Sequence, residues 1–256
     1  MRITVIGSGN VAYHLATGLF KAGHRIEEIF GRNGETVREL AHLVDARPNT
    51  RIGQINSSSE LYLCAVPDDA IGRVAASLSG PIGHQAVVAH TSGIHGLDVF
   101  PPAIAHAAVF YPLQTFTRGI PVALRSVPIL IDARNETDIG ILAGLAKSLS
   151  DQVVAGITNA QKAQLHLAAV FVNNFPNHLY SIAAEICAEN GLDFDLLRPL
   201  MFQTVRKLDF MPPVAAQTGP AIRHDLKTIE KHRALLDGHP VWKKIYALIT
   251  EAIAEK

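Results

Sequence analysis

The opening twelve residues constrain the fold more than any other stretch. Arg2-Ile3-Thr4-Val5-Ile6 is a short, β-branched apolar run, which predicts a buried strand. Gly7-Ser8-Gly9-Asn10-Val11-Ala12 follows at once with the spacing G-x-G-x-x-A. Val11, Leu15 and Leu19 then recur at helical spacing until Gly23 stops the helix. A strand, a glycine turn and a helix in that order form the setting in which such a turn binds a dinucleotide. Gly7 permits the tight turn, Gly9 lets a pyrophosphate approach the backbone, and Ala12 lets helix and strand pack closely. The helix N-terminus adds free N–H groups, so residues Gly7, Ser8, Gly9, Asn10, Val11 and Ala12 are all expected at the cofactor.

Composition narrows the remaining classes. The chain has 256 residues, 48% of them hydrophobic and 18% charged, with a formal net charge of zero. That balance describes an ordinary globular protein and gives no electrostatic footprint for nucleic acid or an anionic membrane. No apolar run reaches membrane-spanning length, so neither a membrane span nor a signal peptide is expected, and a cytoplasmic setting fits best. Cys64 and Cys187 both lie in apolar segments and read as buried thiols. Twelve histidines occur without H-E-x-x-H, and no C-x-x-C is present, so no metal site is expected.

Strand and helix patterns alternate to about residue 157, as in a doubly wound parallel sheet. The second strand, Arg25–Phe30, ends at Gly31-Arg32-Asn33. Many dinucleotide sites place a carboxylate there for the ribose 2′-hydroxyl, whereas arginine suits a 2′-phosphate. Arg32 and Asn33 therefore predict NADP over NAD. Glu27 and Glu28 are rival carboxylates, with solvent-facing strand positions as their plainer role. Residues 61–66 read as a central strand, which brings Val66 and Pro67 near the cofactor. Asp68 is expected to N-cap the helix 69–78. The strand Ala86–Ala89 ends in His90-Thr91-Ser92-Gly93, where Thr91 and Ser92 either face the nicotinamide or cap their own turn. A further strand, 107–110, leads to Gln114, expected to be partly buried. Ile129–Asp132, a helix 136–149 and Val153-Val154 complete one more βαβ unit.

After Thr158 the strand signals stop, giving an expected division into residues 1–157 and a helical region 158–256. Asn159 to Asn190 predicts one long helix, kinked or divided at Pro176. It is apolar on most sides, which implies burial within a domain or between subunits. Lys162, His166, Asn173 and Asn177 fall close to one face, with Asn174 and His178 on a neighbouring stripe. Such polar groups either line a pocket or satisfy one another in the core. Further on, Thr218-Gly-Pro-Ala-Ile-Arg223 presents a guanidinium suited to a carboxylate or phosphate. Asp225 is expected to pair with Arg223 or to cap the helix that follows.

Taken together, six segments resemble the Rossmann-like proteins that carry a DUF2520 domain, often described as NADP- or deazaflavin-dependent oxidoreductases. They are residues 6–12, 65–69, 90–93, 110–116, 166–174 and 218–223. The resemblance implies a Rossmann doubly wound sheet followed by an all-α domain like that of 6-phosphogluconate dehydrogenase, and a homodimer made through the helical domain. It extends distantly to pyrroline-5-carboxylate and ketopantoate reductases, which reduce a C=N or C=O group with NADPH. Hydroxyacid dehydrogenases of this superfamily use a lysine four residues before an asparagine on the long helix. Ala169 and Val170 occupy those places here, so that lysine does not carry over. The expected function is NADP-dependent reduction of a small carbonyl or imine bearing a carboxylate. His166 would donate the proton, Asn174 would polarise the acceptor, and Arg223 would grip the acid. A non-catalytic NADP-binding sensor or scaffold is the alternative, and hydride exchange with a deazaflavin a further one.

Overall fold

Eight strands form one sheet in the order β3-β2-β1-β4-β5-β6-β7-β8. They are β1 (Arg2–Ile6), β2 (Arg25–Phe30), β3 (Arg47–Asn49), β4 (Leu61–Cys64), β5 (Val87–His90), β6 (Ala107–Pro112), β7 (Ile129–Ala133) and β8 (Val153–Ala155). The structure, a computed structural model, describes residues 1–255. Helices α1 (Asn10–Lys21), α2 (Gly34–Leu43), α3 (Ile71–Leu78) and α4 (Glu136–Leu149) connect the strands. Alternate residues of each strand feed two cores, one on each face of the sheet. Ile3, Val5, Leu61, Leu63 and Phe110 pack with Leu15, Leu40 and Leu145 on one face. Ile6, Tyr62, Cys64 and Val88 pack with Ala75 and Leu78 of α3 on the other.

Departures from the sequence reading have identifiable structural causes. β6 and β7 pair antiparallel, Pro112 opposite Ile129, whereas the other pairings are parallel. No α-helix lies between β6 and β7 to carry the chain back across the sheet, so the chain returns beside β6 in the opposite sense. The short strand β3 carries Pro48, which argues against a central strand but is tolerated at an edge such as this one. Residues 52–54 form a single 3₁₀ turn.

Compactness divides the chain after Asn173. Helix α5 (Asn159–Ala169) thus goes with the sheet, beyond the division expected at 157/158. Its start is fixed by a capping box between Thr158 and Gln161. A π-helical turn, Val170–Asn174, interrupts the predicted long helix just before Pro176. Proline lacks an N–H and clashes with the carbonyl four residues back, and the widened turn removes both conflicts.

The second unit holds α6 (Phe175–Glu189), α7 (Arg198–Arg206), the single turn α8 (Pro213–Ala216), α9 (Leu226–Leu235) and α10 (Pro240–Ala254). Asp225 caps α9, accepting from the Thr228 backbone N–H at 3.1 Å and the Thr228 hydroxyl at 2.7 Å. Those bonds, the side-chain one foremost, hold its carboxyl below the usual range. Among the described residues of this unit, the buried apolar side chains are Ile182, Cys187 and Ala221. In the single chain, Leu165, Leu167 and Val172 of the long helix, predicted to be buried within a domain or between subunits, are exposed. No helix among the described residues is long and apolar enough to cross a membrane.

Candidate functional site at the carboxyl edge of the sheet

β1 ends at Ile6, and the chain turns through Gly7 at φ +124°, a conformation that L side chains rarely adopt. The turn passes so close to β4 that a Cβ on Gly7 would lie 2.1 Å from the Ala65 carbonyl oxygen. Gly9 is the opposite case: a Cβ there would meet nothing within 4 Å. Gly9 is also the N-cap of α1, and no side chain caps that helix end. The first N–H groups of α1 are therefore left for a ligand, where the helix dipole favours an anion. Ala12 is fully buried against the sheet. Gly7, Ser8 and Gly9 open onto a cleft of about 910 Å³, whose walls include Arg32, Asn33, Val66, Pro67 and Arg73. A dinucleotide fits this cradle by the close backbone approach at Gly9 and by the uncapped amides.

The tip of β2 bears on cofactor choice. Arg32 is exposed, lines the cleft, and makes no hydrogen bond or ion pair with a described residue. The Asn33 side-chain oxygen caps α2, accepting from the N–H groups of Glu35 at 3.0 Å and Thr36 at 3.3 Å, so only its amide nitrogen is left for a ligand. Ser8 is tied to the same helix through Thr36, hydroxyl to hydroxyl, at 2.8 Å. Glu28, read as solvent-facing, is fully buried. A register shift between Ile3, which pairs with Ile26, and Thr4, which pairs with Glu28, turns it inward. There it is ion-paired to Arg47 and accepts from Asn49 at 3.1 Å. Glu27 is paired with Arg25 at 3.1 Å. Neither carboxylate is free for a ribose hydroxyl.

The next strands carry the polar cluster. Asp68 does not cap a helix: a 3₁₀ turn, Asp68–Ala70, precedes α3 without a side-chain cap. Its exposed carboxylate instead acts electrostatically on His90, Tyr111 and Lys162. Thr91 bonds back to the Cys64 carbonyl, at 3.2 Å from its N–H and 3.4 Å from its hydroxyl. The buried Ser92 hydroxyl accepts from the N–H groups of Ile94 and His95, both at 3.2 Å. The turn thus uses both hydroxyls, and neither residue lines the cleft beside Gly9. The Lys162 ammonium donates to the carbonyl oxygens of Ser92 at 2.9 Å and of His95. Burial pulls its pKa down to about 8. One helical turn on, His166 Nδ1 lies 3.0 Å from the Tyr111 hydroxyl at the end of β6.

His90 is buried and neutral. The Ser92 N–H donates to Nδ1 at 3.1 Å, so Nε2 carries the proton and donates to the Gly96 carbonyl at 3.2 Å. Burial, the largest cause, lowers its pKa from 6.5 to about 4. Below pH 6.5 the unfolded chain takes up a proton that the fold refuses, so stability falls as pH drops from 6.5 to 4. The full loss is about 3 kcal/mol. Thermal unfolding across that window should show a steeper decline for the parent protein than for His90→Gln.

Asn174 and Arg223, the other catalytic candidates, belong to the second unit, and both are exposed. The Arg223 guanidinium forms no hydrogen bond or ion pair with a described residue, although Asp225 is electrostatically close. Gln114, expected to be partly buried, is exposed, and its side-chain oxygen accepts from the Thr115 N–H at 2.8 Å. Tyr111 and Arg73 were not singled out from sequence. A tyrosine at a strand end was a usable signal; the cleft-facing side of α3 had none. Among the described residues no cluster of His, Cys, Asp and Glu could hold a metal. Cys64 and Cys187 are both buried, and burial pushes the Cys64 thiol up to about 12.

The family model for a Rossmann-like domain matches residues 1–115, and that for a domain of unknown function, DUF2520, matches residues 127–253. A solved structure from Bacteroides fragilis, described as a candidate NADP oxidoreductase, is 36% identical with a TM-score of 0.96. The match covers 100% of this chain and 98% of that one. A Thermotoga maritima protein is 24% identical, with a TM-score of 0.73 over 99% of this chain and 97% of its own. A pyrroline-5-carboxylate reductase from Coxiella burnetii is 14% identical, with a TM-score of 0.60 over 99% and 96%. At such identities the last two show a shared fold. No curated protein matches the chain. The full-length match and the two domain models agree: this chain belongs to the family of Rossmann-like proteins that carry a DUF2520 domain.

Proposed function

We propose that the protein is an NADP-dependent oxidoreductase acting on a small carbonyl or imine compound that bears a carboxylate. The uncapped α1 N-terminus, opening with Gly9 onto the cleft that Arg32 lines, is the observation that carries this reading. The Bacteroides fragilis relative, described as a candidate NADP oxidoreductase, supports the cofactor class. The amides at residues 9–12 would hold the pyrophosphate, and Arg32 with the Asn33 amide nitrogen the 2′-phosphate. A nicotinamide would supply the hydride. Along the sheet edge, Tyr111 on β6 lies two strands from β4, roughly 10 Å. That spacing suits the reactive end of a dinucleotide whose phosphates rest on α1. His166 would deliver the proton. The working form would be a homodimer joined through the helical unit.

Purified protein incubated with NADPH and a panel of 2-keto acids and cyclic imines tests the reading. NADPH oxidation is expected with a member of that panel, and His166→Ala should slow it by about 10²–10⁴-fold while NADPH still binds. Tight NADPH binding with no turnover across the panel would instead favour a binding module. Removing the Arg32 charge deletes one charge-assisted contact worth about 1.5–3 kcal/mol. Arg32→Ala should therefore cut the preference for NADPH over NADH by about 10- to 100-fold, read from cofactor fluorescence titrations.

A further inference from the structure

We propose that Tyr111 is the positioning residue that keeps the proton of neutral His166 on Nε2, so that the imidazole offers an N–H outward. The proposal rests on the reading of His166 at the reacting centre and adds which nitrogen of its neutral ring faces outward as N–H; delivery of a proton from His166 itself requires the imidazolium, in which both nitrogens carry one. The Tyr111 hydroxyl and His166 Nδ1 are 3.0 Å apart, and the rings meet edge to face at 66°. Tyr111 is buried at the end of β6, which confines its ring, and Pro112 after it restricts its backbone. No other described group lies within hydrogen-bond reach of its hydroxyl. If that hydroxyl accepted from Nδ1–H, its own proton would have no acceptor among the described residues. If it donates to Nδ1, both groups are satisfied and the remaining imidazole proton must sit on Nε2.

The surroundings hold this geometry from two further sides. Lys162, one helical turn before His166, is buried with its ammonium on the Ser92 and His95 carbonyls, which fixes α5 against that turn. Gly93, in the same turn, is where the pair needs room. A Cβ there would lie 2.4 Å from His166 Nδ1 and 2.9 Å from Tyr111 Cζ. Turn, strand end and helix thus enclose the Nδ1 side of the ring, and Nε2 makes no hydrogen bond to a described residue.

The test reads the tautomer directly and needs no substrate. In the full chain labelled with ¹⁵N-histidine, the His166 ring nitrogens are assigned by their loss in His166→Gln. At a pH where the ring is neutral, the parent protein should show Nε2–H alone. Tyr111→Phe keeps the ring volume and should give a mixture with a several-fold larger Nδ1–H share. Gly93→Ala, which retains the phenol but displaces the rings, should do likewise. An Nδ1–H form in the parent protein, or an unchanged tautomer in Tyr111→Phe, overturns the proposal. Because no turnover is measured, either result stands apart from whether His166→Ala loses activity.

Discussion

Gly9→Ala should leave the thermal midpoint unchanged while weakening NADPH binding by about a hundredfold, whereas Gly7→Ala should lose both binding and stability. The contrast follows from what each new methyl group meets. At Gly9 the backbone is extended (φ −80°, ψ −169°), and a Cβ would enter open space. Nothing in the protein resists it. The space it fills is where a pyrophosphate would approach the α1 amides, so the cost falls on the complex alone, about 3 kcal/mol for a hundredfold loss. At Gly7 the same methyl demands a left-handed backbone at φ +124° and overlaps the Ala65 carbonyl. Backbone strain costs about 1–3 kcal/mol, and prising β1 from β4 adds a similar amount. A midpoint about 10 °C lower is expected. Calorimetric melting and NADPH titration of both variants give the comparison. Parent-like affinity in Gly9→Ala would mean that no phosphate crosses that turn, and the cofactor assignment would go with it.

Much of the fold was legible because its signals are local. The strand-turn-helix at the N-terminus, the buried run 61–66 and the helix 136–149 each rest on a few adjacent residues. What escaped depends on partners distant in the chain. The direction of β7 is set by the missing crossover helix, and β3 by an edge position that makes Pro48 harmless. Glu28 looked like a surface residue because its bulge and its partners Arg47 and Asn49 are invisible in a strand pattern. Asp68 looked like a cap because Asp before a helix usually is one, but a 3₁₀ turn intervenes. The site divides the same way. The glycine turn and Arg32 could be read from spacing. The meeting of Tyr111, Gly93 and His166 could not, because it joins a turn, a strand end and a helix, with Tyr111 and His166 55 residues apart and Gly93 further still from the histidine.

Replacing Phe202 and Phe210 together by Asp should convert the proposed dimer into a monomer and uncouple the melting of the helical unit. That unit has a thin core of its own. From residue 174 to 255 the described buried apolar side chains are Ile182, Cys187 and Ala221. Meanwhile Leu196, Phe202, Phe210, Val214 and Leu235 are each 70% or more exposed. Segments of this length normally bury over half their surface on folding, and scattered single apolar residues on a surface are ordinary, but so many in one stretch fit the proposed homodimer surface. A second copy is the occupant proposed here, and a formal net charge of zero sets no long-range repulsion against self-association. Each phenylalanine removed from water contributes about 2 kcal/mol, and a buried carboxylate in its place adds a desolvation cost. The double variant should therefore raise the dimer dissociation constant about a thousandfold or more. If the helical unit folds only when paired, the parent midpoint should also climb with protein concentration, and that of the double variant should not. Light scattering coupled to size exclusion, with melts across a hundredfold range of concentration, reads both effects. A parent protein that is monomeric throughout, with a midpoint independent of concentration and matched by the double variant, would show that these side chains remain in water and that the few buried contacts suffice.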